Sequence, residues 1–129
     1  MEFKDKQSIY LQIADYICEQ ILLENWPVNE RIPSVRDLAV LMEVNPNTVM
    51  RTYDFLQGKN IIFNRRGIGY FADEKAVDHI KAYRKERFLV TELPVFFKTI
   101  YLLDMNFEEL KERYEDFVKE NFAQHTSNK

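Results

Sequence analysis

The side chains best equipped for chemistry lie in Val44-Asn45-Pro46-Asn47-Thr48-Val49-Met50-Arg51-Thr52-Tyr53. Asn47, Thr48 and Arg51 are types that hydrogen-bond base edges or hold phosphates. Asn45 can cap a helix by accepting a backbone N–H of its first turn. Pro46 then occupies the first helical position, where its missing N–H costs nothing. Val49, Tyr53 and Leu56 recur at i, i+4 and i+7, giving that helix an apolar back. Taken alone, these residues describe a capped surface helix more readily than one that reads DNA, so the flanking segments must decide.

Two flanking segments point the same way. Ser34-Val35-Arg36-Asp37 has the form of a capping box, with Asp37 a shorter stand-in for the usual Glu. The helix it starts turns Val35, Leu38, Ala39 and Leu41/Met42 inward and ends near Glu43. A short connection to the Asn45 helix then gives a helix-turn-helix. The second helix is expected to stop at Gly58-Lys59-Asn60, with Gly58 as a left-handed cap. Beyond it, Ile61-Ile62-Phe63-Asn64 and Ile68-Gly69-Tyr70-Phe71 flank the basic turn Arg65-Arg66-Gly67, which predicts a β-hairpin. Its tip carries Arg65 and Arg66 within reach of phosphate or a minor groove. Gly67 and Gly69 allow a sharp turn and close approach of a partner.

Composition limits the alternatives. The 129 residues suffice for one domain, or a small domain with an appendage, and 46% are hydrophobic, enough for a core. No run approaches the ~20 apolar residues of a membrane span. The charged start Met1-Glu2-Phe3-Lys4-Asp5-Lys6 lacks a signal peptide's apolar region. With a single cysteine, Cys18, a soluble cytoplasmic protein is expected. Cys18 reads as a packed thiol, His79 as a helix-surface residue and His125 as part of a frayed tail. No catalytic motif and no metal-ligand spacing is present, so neither enzyme activity nor a cofactor is expected.

The net charge of −3 argues against nucleic acid, but its distribution does not. From Arg31 to Ala72, six cations (Arg31, Arg36, Arg51, Lys59, Arg65, Arg66) face three acids (Asp37, Glu43, Asp54), a local +3. Residues 1–30 carry a local −4, with Lys4 and Lys6 against six acids. A screening length of about 8 Å at physiological salt makes the local balance the relevant one.

Two further helical regions frame this centre. Ser8 is the expected cap of a first helix running to about Glu24, with Ile9, Ile13, Ile17 and Ile21 as its stripe. Trp26-Pro27 ends that region. After Ala72, Asp73-Glu74 can cap a helix reaching about Glu92, and Pro94 breaks or kinks the chain beyond it. The basic run Lys81–Arg87 reads as a solvated face. Asn106 and Glu109 start a last helix carrying Phe107, Leu110, Tyr114, Phe117, Val118 and Phe122. Its apolar surface, with Phe96, Phe97, Ile100 and Tyr101, exceeds what one helical hairpin can bury, and a second copy of the chain is the natural partner. Phe96, Phe97, Tyr101 and Tyr114 read first as core; the other use open to them is a pocket for a small-molecule effector.

The blocks Ile9–Ala14, Arg31–Ala39, Val44–Tyr53 and Arg66–Phe71 resemble, in order, those of the GntR-family winged helix. The short helical remainder is similar to the family's YtrA-like branch. The fold implied is mostly α with a small β-hairpin: a winged helix-turn-helix over residues 1–72, then a helical-hairpin dimerisation domain over 73–129. The larger effector domains of other branches would not fit in 57 residues at ordinary domain sizes. The resemblance implies a bacterial regulator, usually a repressor, binding a palindromic double-stranded operator as a homodimer. It assigns DNA contact to Ser34 and Arg36, to Asn45, Asn47, Thr48 and Arg51, and to Arg66, Gly67 and Gly69 of the wing. Three positions depart from the pattern. Ile32 replaces the commoner Leu, Thr52 stands where Ala is frequent, and Trp26-Pro27-Val28-Asn29 replaces a glycine-bearing loop. The rival reading is a winged helix that binds protein and never DNA, favoured by the acidic total and the aromatic C-terminal region.

Overall fold

Ser34 and Asn45 each start a helix through a local hydrogen bond. The computed structural model describes residues 7–126, and the side chains as far as Ala123. In it, Ser34 Oγ accepts the Asp37 N–H at 3.0 Å and opens α2 (Val35–Met42). Asn45 Oδ1 accepts the Asn47 N–H at 2.7 Å and opens α3 (Pro46–Gly58), with Pro46 in its first turn. Ahead of them runs α1 (Ile9–Leu22). Ser8 precedes α1 with extended backbone, but its side chain does not cap the helix as expected. Ile13, Ile17 and Ile21 are buried, whereas Ile9 is 57% exposed and falls outside the stripe. It lies in the first turn, at the rim of the core.

The helices share a way of ending. In α3 the left-handed residue is Asn60 (φ 61°), not Gly58. The Ile61 N–H reaches the Leu56 carbonyl at 3.0 Å, and the Asn60 N–H reaches Gln57 at 2.9 Å. This is the paired closure in which the residue beyond the cap turns left-handed. Glu24 ends α1 in the same manner (φ 67°) and Glu43 ends α2 (φ 58°). With only three glycines in the chain, Glu and Asn take positions that glycine usually fills.

The wing is an antiparallel pair, β1 (Ile62–Arg65) and β2 (Gly69–Ala72), with Phe63 opposite Phe71 and Arg65 opposite Gly69. The preceding loop adds a third edge. Arg31 bridges to Phe71, the Ile32 N–H donates to Tyr70 O at 2.9 Å, and the Asn29 N–H donates to Ala72 O at 2.8 Å. Trp26–Asn29 thus serves to bring the chain onto the sheet; Asn29 is itself left-handed (φ 63°).

Two compact units divide the chain, Met1–Glu86 and Arg87–Lys129. The core of the first is built on α1, α2 and α3, with Ile61, Ile62 and Ala72 from the wing. Leu38 and Ala39 supply the share of α2, with Val35 and Met42 packed against it; of the expected pair Leu41/Met42, Met42 takes the inward place and Leu41 is exposed. Asp73 Oδ2 accepts the Lys75 N–H at 2.8 Å ahead of α4 (Ala76–Arg87), whose Ala76 and Ile80 are buried in the same core.

In the second unit a single π-helical turn, Phe88–Glu92, precedes α5 (Leu93–Leu102). Pro94 lies in the first turn of α5 directly after the π-helical turn, so the expected break or kink takes the form of a change of helix type there, with helical backbone at Glu92 and Leu93. The helix expected to reach Glu92 keeps α-geometry only to Arg87. Left-handed Asp104 (φ 56°) closes α5. Asn106 Oδ1 accepts the Glu108 N–H ahead of α6 (Phe107–Thr126), which departs from helical geometry at Phe122. Helix α6 continues through the start of the tail expected to fray. Residues 1–6 and 127–129, and the His125 side chain, lie outside the described residues. No helix among the described residues is long and apolar enough to cross a membrane.

Candidate nucleic-acid interface

Helix α3 is held on one side and open on the other. Val49, Thr52, Tyr53 and Leu56 are buried against the core, which leaves Asn47, Met50, Arg51 and Asp54 exposed. Thr48 is half-buried at the boundary. The Thr52 hydroxyl donates to the Tyr10 carbonyl at 2.7 Å and lies 3.2 Å from Thr48 O, which ties α3 to the start of α1. At this position the Thr adds a hydrogen bond that the commoner alanine would lack.

Tyr53 fixes the tilt of the helix. Its hydroxyl donates to Pro33 O at 2.7 Å, immediately before α2. Burial pushes the Tyr53 phenol well above its ordinary value, and negative charge on Tyr70 or Asp37 would push it the same way. The neutral phenol therefore remains a donor throughout ordinary pH.

The expected DNA-facing residues divide by what else they do. Asn45 and Ser34 are committed as caps, although the Ser34 hydroxyl can still donate its own proton while accepting. Arg36 is exposed in the first turn of α2. Asn47, Thr48 and Arg51 line an open recess of about 430 Å³ together with Ser8, Ile9 and Tyr10. In the wing, Arg65 and Arg66 are not equivalent. The Arg65 guanidinium lies 5.1 Å from the Phe71 ring centroid and 5.9 Å from that of Phe63, laid along a stacked aromatic pair. Arg66 is exposed in the turn itself, beside Gly67 (φ 78°).

Gly69 also admits a close approach within the chain itself. Its φ is 144°, and a Cβ there would lie 2.8 Å from Arg31 Nε. The close approach it permits is made by Arg31 of the same chain. Tyr10, Arg31, Met50 and Tyr70 are further participants that sequence reasoning did not single out. The Tyr70 hydroxyl lies 4.0 Å from Met50 Sδ, linking the wing to the exposed side of α3. The pattern Arg31-Ile32-Pro33 signalled only an extended segment; pairing of that segment with β2 depends on contacts distant in sequence.

Other candidate groups have structural partners. Cys18 is buried in the α1 core. His79 Nδ1 is 2.8 Å from Asn60 O, against the left-handed turn that ends α3. Among the described residues no three His, Cys, Asp or Glu side chains converge as metal ligands. Of the residues expected to pair two copies, Phe96, Phe97, Tyr101, Tyr114 and Phe117 are exposed, Tyr101 by 80%. Leu110 is half-buried, and Ile100, 7% exposed, is packed within the second unit.

Comparison with known proteins agrees with this geometry. Residues 9–71 match the family model for bacterial regulatory proteins of the gntR family. The HTH-type transcriptional regulator YhcF of Bacillus subtilis (strain 168) is 35% identical over 92% of this chain and 96% of its own length. The HTH-type transcriptional repressor YtrA of the same organism is 38% identical over 57% of this chain and 56% of its own length. The crystal structure of a GntR-family regulator from Bacteroides thetaiotaomicron, 45% identical, superposes with a TM-score of 0.70 over 88% of this chain and 98% of that one. The chain belongs to the gntR family of bacterial transcriptional regulators and carries that family's DNA-binding winged helix-turn-helix.

Proposed function

We propose that this regulator is a cytoplasmic repressor that binds a palindromic operator as a homodimer. The observation that carries the reading is the two-sidedness of α3: Val49, Thr52, Tyr53 and Leu56 anchor it, while Asn47 and Arg51 stand exposed in its N-terminal half. A helix so presented enters a major groove by that end. Asn47, Thr48 and Arg51 then meet base edges or phosphates, and Arg36 does so from the first turn of α2. Ser34 and Asn45 contribute chiefly by aiming α2 and α3. Arg65 and Arg66 reach the backbone or minor groove from the wing; Gly67 shapes its turn, and Gly69 seats Arg31 at its base.

Residues 73–129 supply the pairing of two copies. Phe96, Phe97, Tyr101, Tyr114 and Phe117 leave an aromatic surface in water on a single chain, more than a monomer normally exposes. A second copy covering it in two-fold fashion would pair two reading helices, which successive major grooves on one face require to be about 34 Å apart. Phe96, Phe97, Tyr101 and Tyr114 of the same surface are also where a small-molecule effector would find aromatic contacts. The repressor role is carried over from the relative YtrA, which is named a transcriptional repressor.

A mobility-shift titration with DNA from upstream of the protein's own gene tests the reading. Binding should be strong at low salt and weaken about 10³–10⁵-fold between about 50 and 200 mM salt if six to ten phosphates are contacted. Absence of binding at the lowest salt would leave protein recognition as the use of this winged helix.

A further inference from the structure

We propose that Tyr10 is a positioning residue for Arg51, holding its guanidinium in place before DNA arrives; the inference rests on the reading of α3 as the DNA-contacting helix. The Arg51 guanidinium carbon lies 3.9 Å from the centroid of the Tyr10 ring, the geometry of a close cation–π stack. Arg51 is otherwise exposed and would sample many rotamers.

The ring beneath it is itself fixed. Thr52 Oγ1 holds the Tyr10 backbone carbonyl at 2.7 Å, so the residue following Arg51 anchors the residue Arg51 stacks upon. Phe55 meets the Tyr10 ring edge-on at 6.1 Å, and Tyr83 of α4 packs against Phe55 at 5.6 Å. Arg51 thus lies on a surface braced from two helices, on the recess it shares with Asn47 and Thr48. A guanidinium stacked on one face keeps its N–H edge free for a planar acceptor, either a phosphate or the paired acceptors of guanine. Ordering it in the unbound protein removes a cost that would otherwise be met on binding. The Tyr10 hydroxyl has no part in this; only the π-face matters.

The test uses the full chain in fluorescence anisotropy titrations against two duplexes, one from its own upstream region and poly(dI-dC). Tyr10→Leu should weaken binding to the upstream duplex about 3- to 10-fold, the size expected for immobilising one long side chain. It should weaken poly(dI-dC) binding less, and Tyr10→Phe should match the parent. In an Arg51→Ala background, Tyr10→Leu should add nothing further. Additive losses, or failure of Tyr10→Phe to rescue, would overturn the assignment while leaving α3 as the DNA-contacting helix. No DNA binding by the parent at low salt would overturn both. A readout on the unaltered protein covers the case in which Tyr10→Leu misfolds. The Nε–H order parameter of Arg51, measured by NMR without DNA, should exceed those of exposed Arg36 and Arg66, and equal values would also overturn the proposal.

Discussion

Tyr53 and Tyr70 meet edge to face, their ring centroids 4.8 Å apart and their planes 84° from parallel. The first belongs to the buried face of α3 and the second to β2, so this contact sets the wing against the helix. The Tyr53 hydroxyl also reaches Pro33 O, next to the cap of α2. One side chain therefore joins the three elements assigned to DNA, and its surroundings determine how they are aimed.

Tyr53→Phe keeps the ring and removes the donor to Pro33. It should cost about 1–2 kcal/mol, since a part-buried carbonyl loses its partner. Urea denaturation measures this directly. The pH dependence carries a second signature. The folded protein holds the Tyr53 proton to higher pH than the unfolded chain, whose phenol titrates near 10.0. That contribution to stability is full below pH 10.0 and is lost as pH rises beyond it. The alkaline loss of stability should be shallower in Tyr53→Phe, and an unchanged slope would count against the buried phenol.

The two wing glycines should respond differently to alanine. Gly67→Ala meets open space and bears only the cost of its positive φ, about 1 kcal/mol. Gly69→Ala bears backbone strain and also displaces the Arg31 side chain, for about 2–3 kcal/mol in all. Thermal melts of both variants, with and without Arg31→Ala, separate the parts. Removing Arg31 should recover part of the Gly69→Ala loss and none of the Gly67→Ala loss.

Charge removal at the interface should sort by position. Arg36→Ala is expected to cost about 1–3 kcal/mol and relax sequence preference at its contact. Arg66→Ala should weaken all sequences alike and reduce the salt slope by about 1. Arg65→Ala should resemble Arg66→Ala but also loosen the wing, because the side chain covers Phe63 and Phe71. Binding titrations at several salt concentrations on two sequences give the comparison. Equal losses on every sequence for all three would remove the proposed division of labour.

Pairing of two copies predicts a clear effect from charge on the aromatic surface. Phe97→Glu with Tyr101→Glu places two carboxylates where a partner would bury them. Light scattering should show the mass falling from two chains to one while the helical content of the first unit persists. A parent chain that is monomeric at all concentrations would contradict the dimer.

Much of the DNA-facing half was legible in the sequence because its signals are local. Ser34 and Asn45 start helices through bonds that span three and two residues, and Pro46 suits the first turn by its fixed φ, so the residue types alone place them. The wing was legible from two β-prone runs about a basic turn. Less readable were features set by distant contacts. Asn60 took the left-handed position expected of Gly58 because the terminal bonds to Leu56 and Gln57 fall there. Pro94 signalled a break or a kink, and its acceptance inside a first turn depends on the π-helical turn just before it. Tyr10 and Thr52 are 42 residues apart, and no spacing rule pairs them. The contact between Gly69 and Arg31 was hidden for the same reason, since Arg31 reaches it through the sheet edge.

Hydroxyl-radical footprinting on the upstream fragment tests most directly whether paired α3 helices read an operator. Two protected half-sites are expected on one face of the duplex, centred about 10 base pairs apart or a multiple of that, with added minor-groove protection beside each from the wing. Cleavage that is unchanged at low salt, or protection spread evenly along the fragment, would contradict recognition by a two-fold pair of α3 helices.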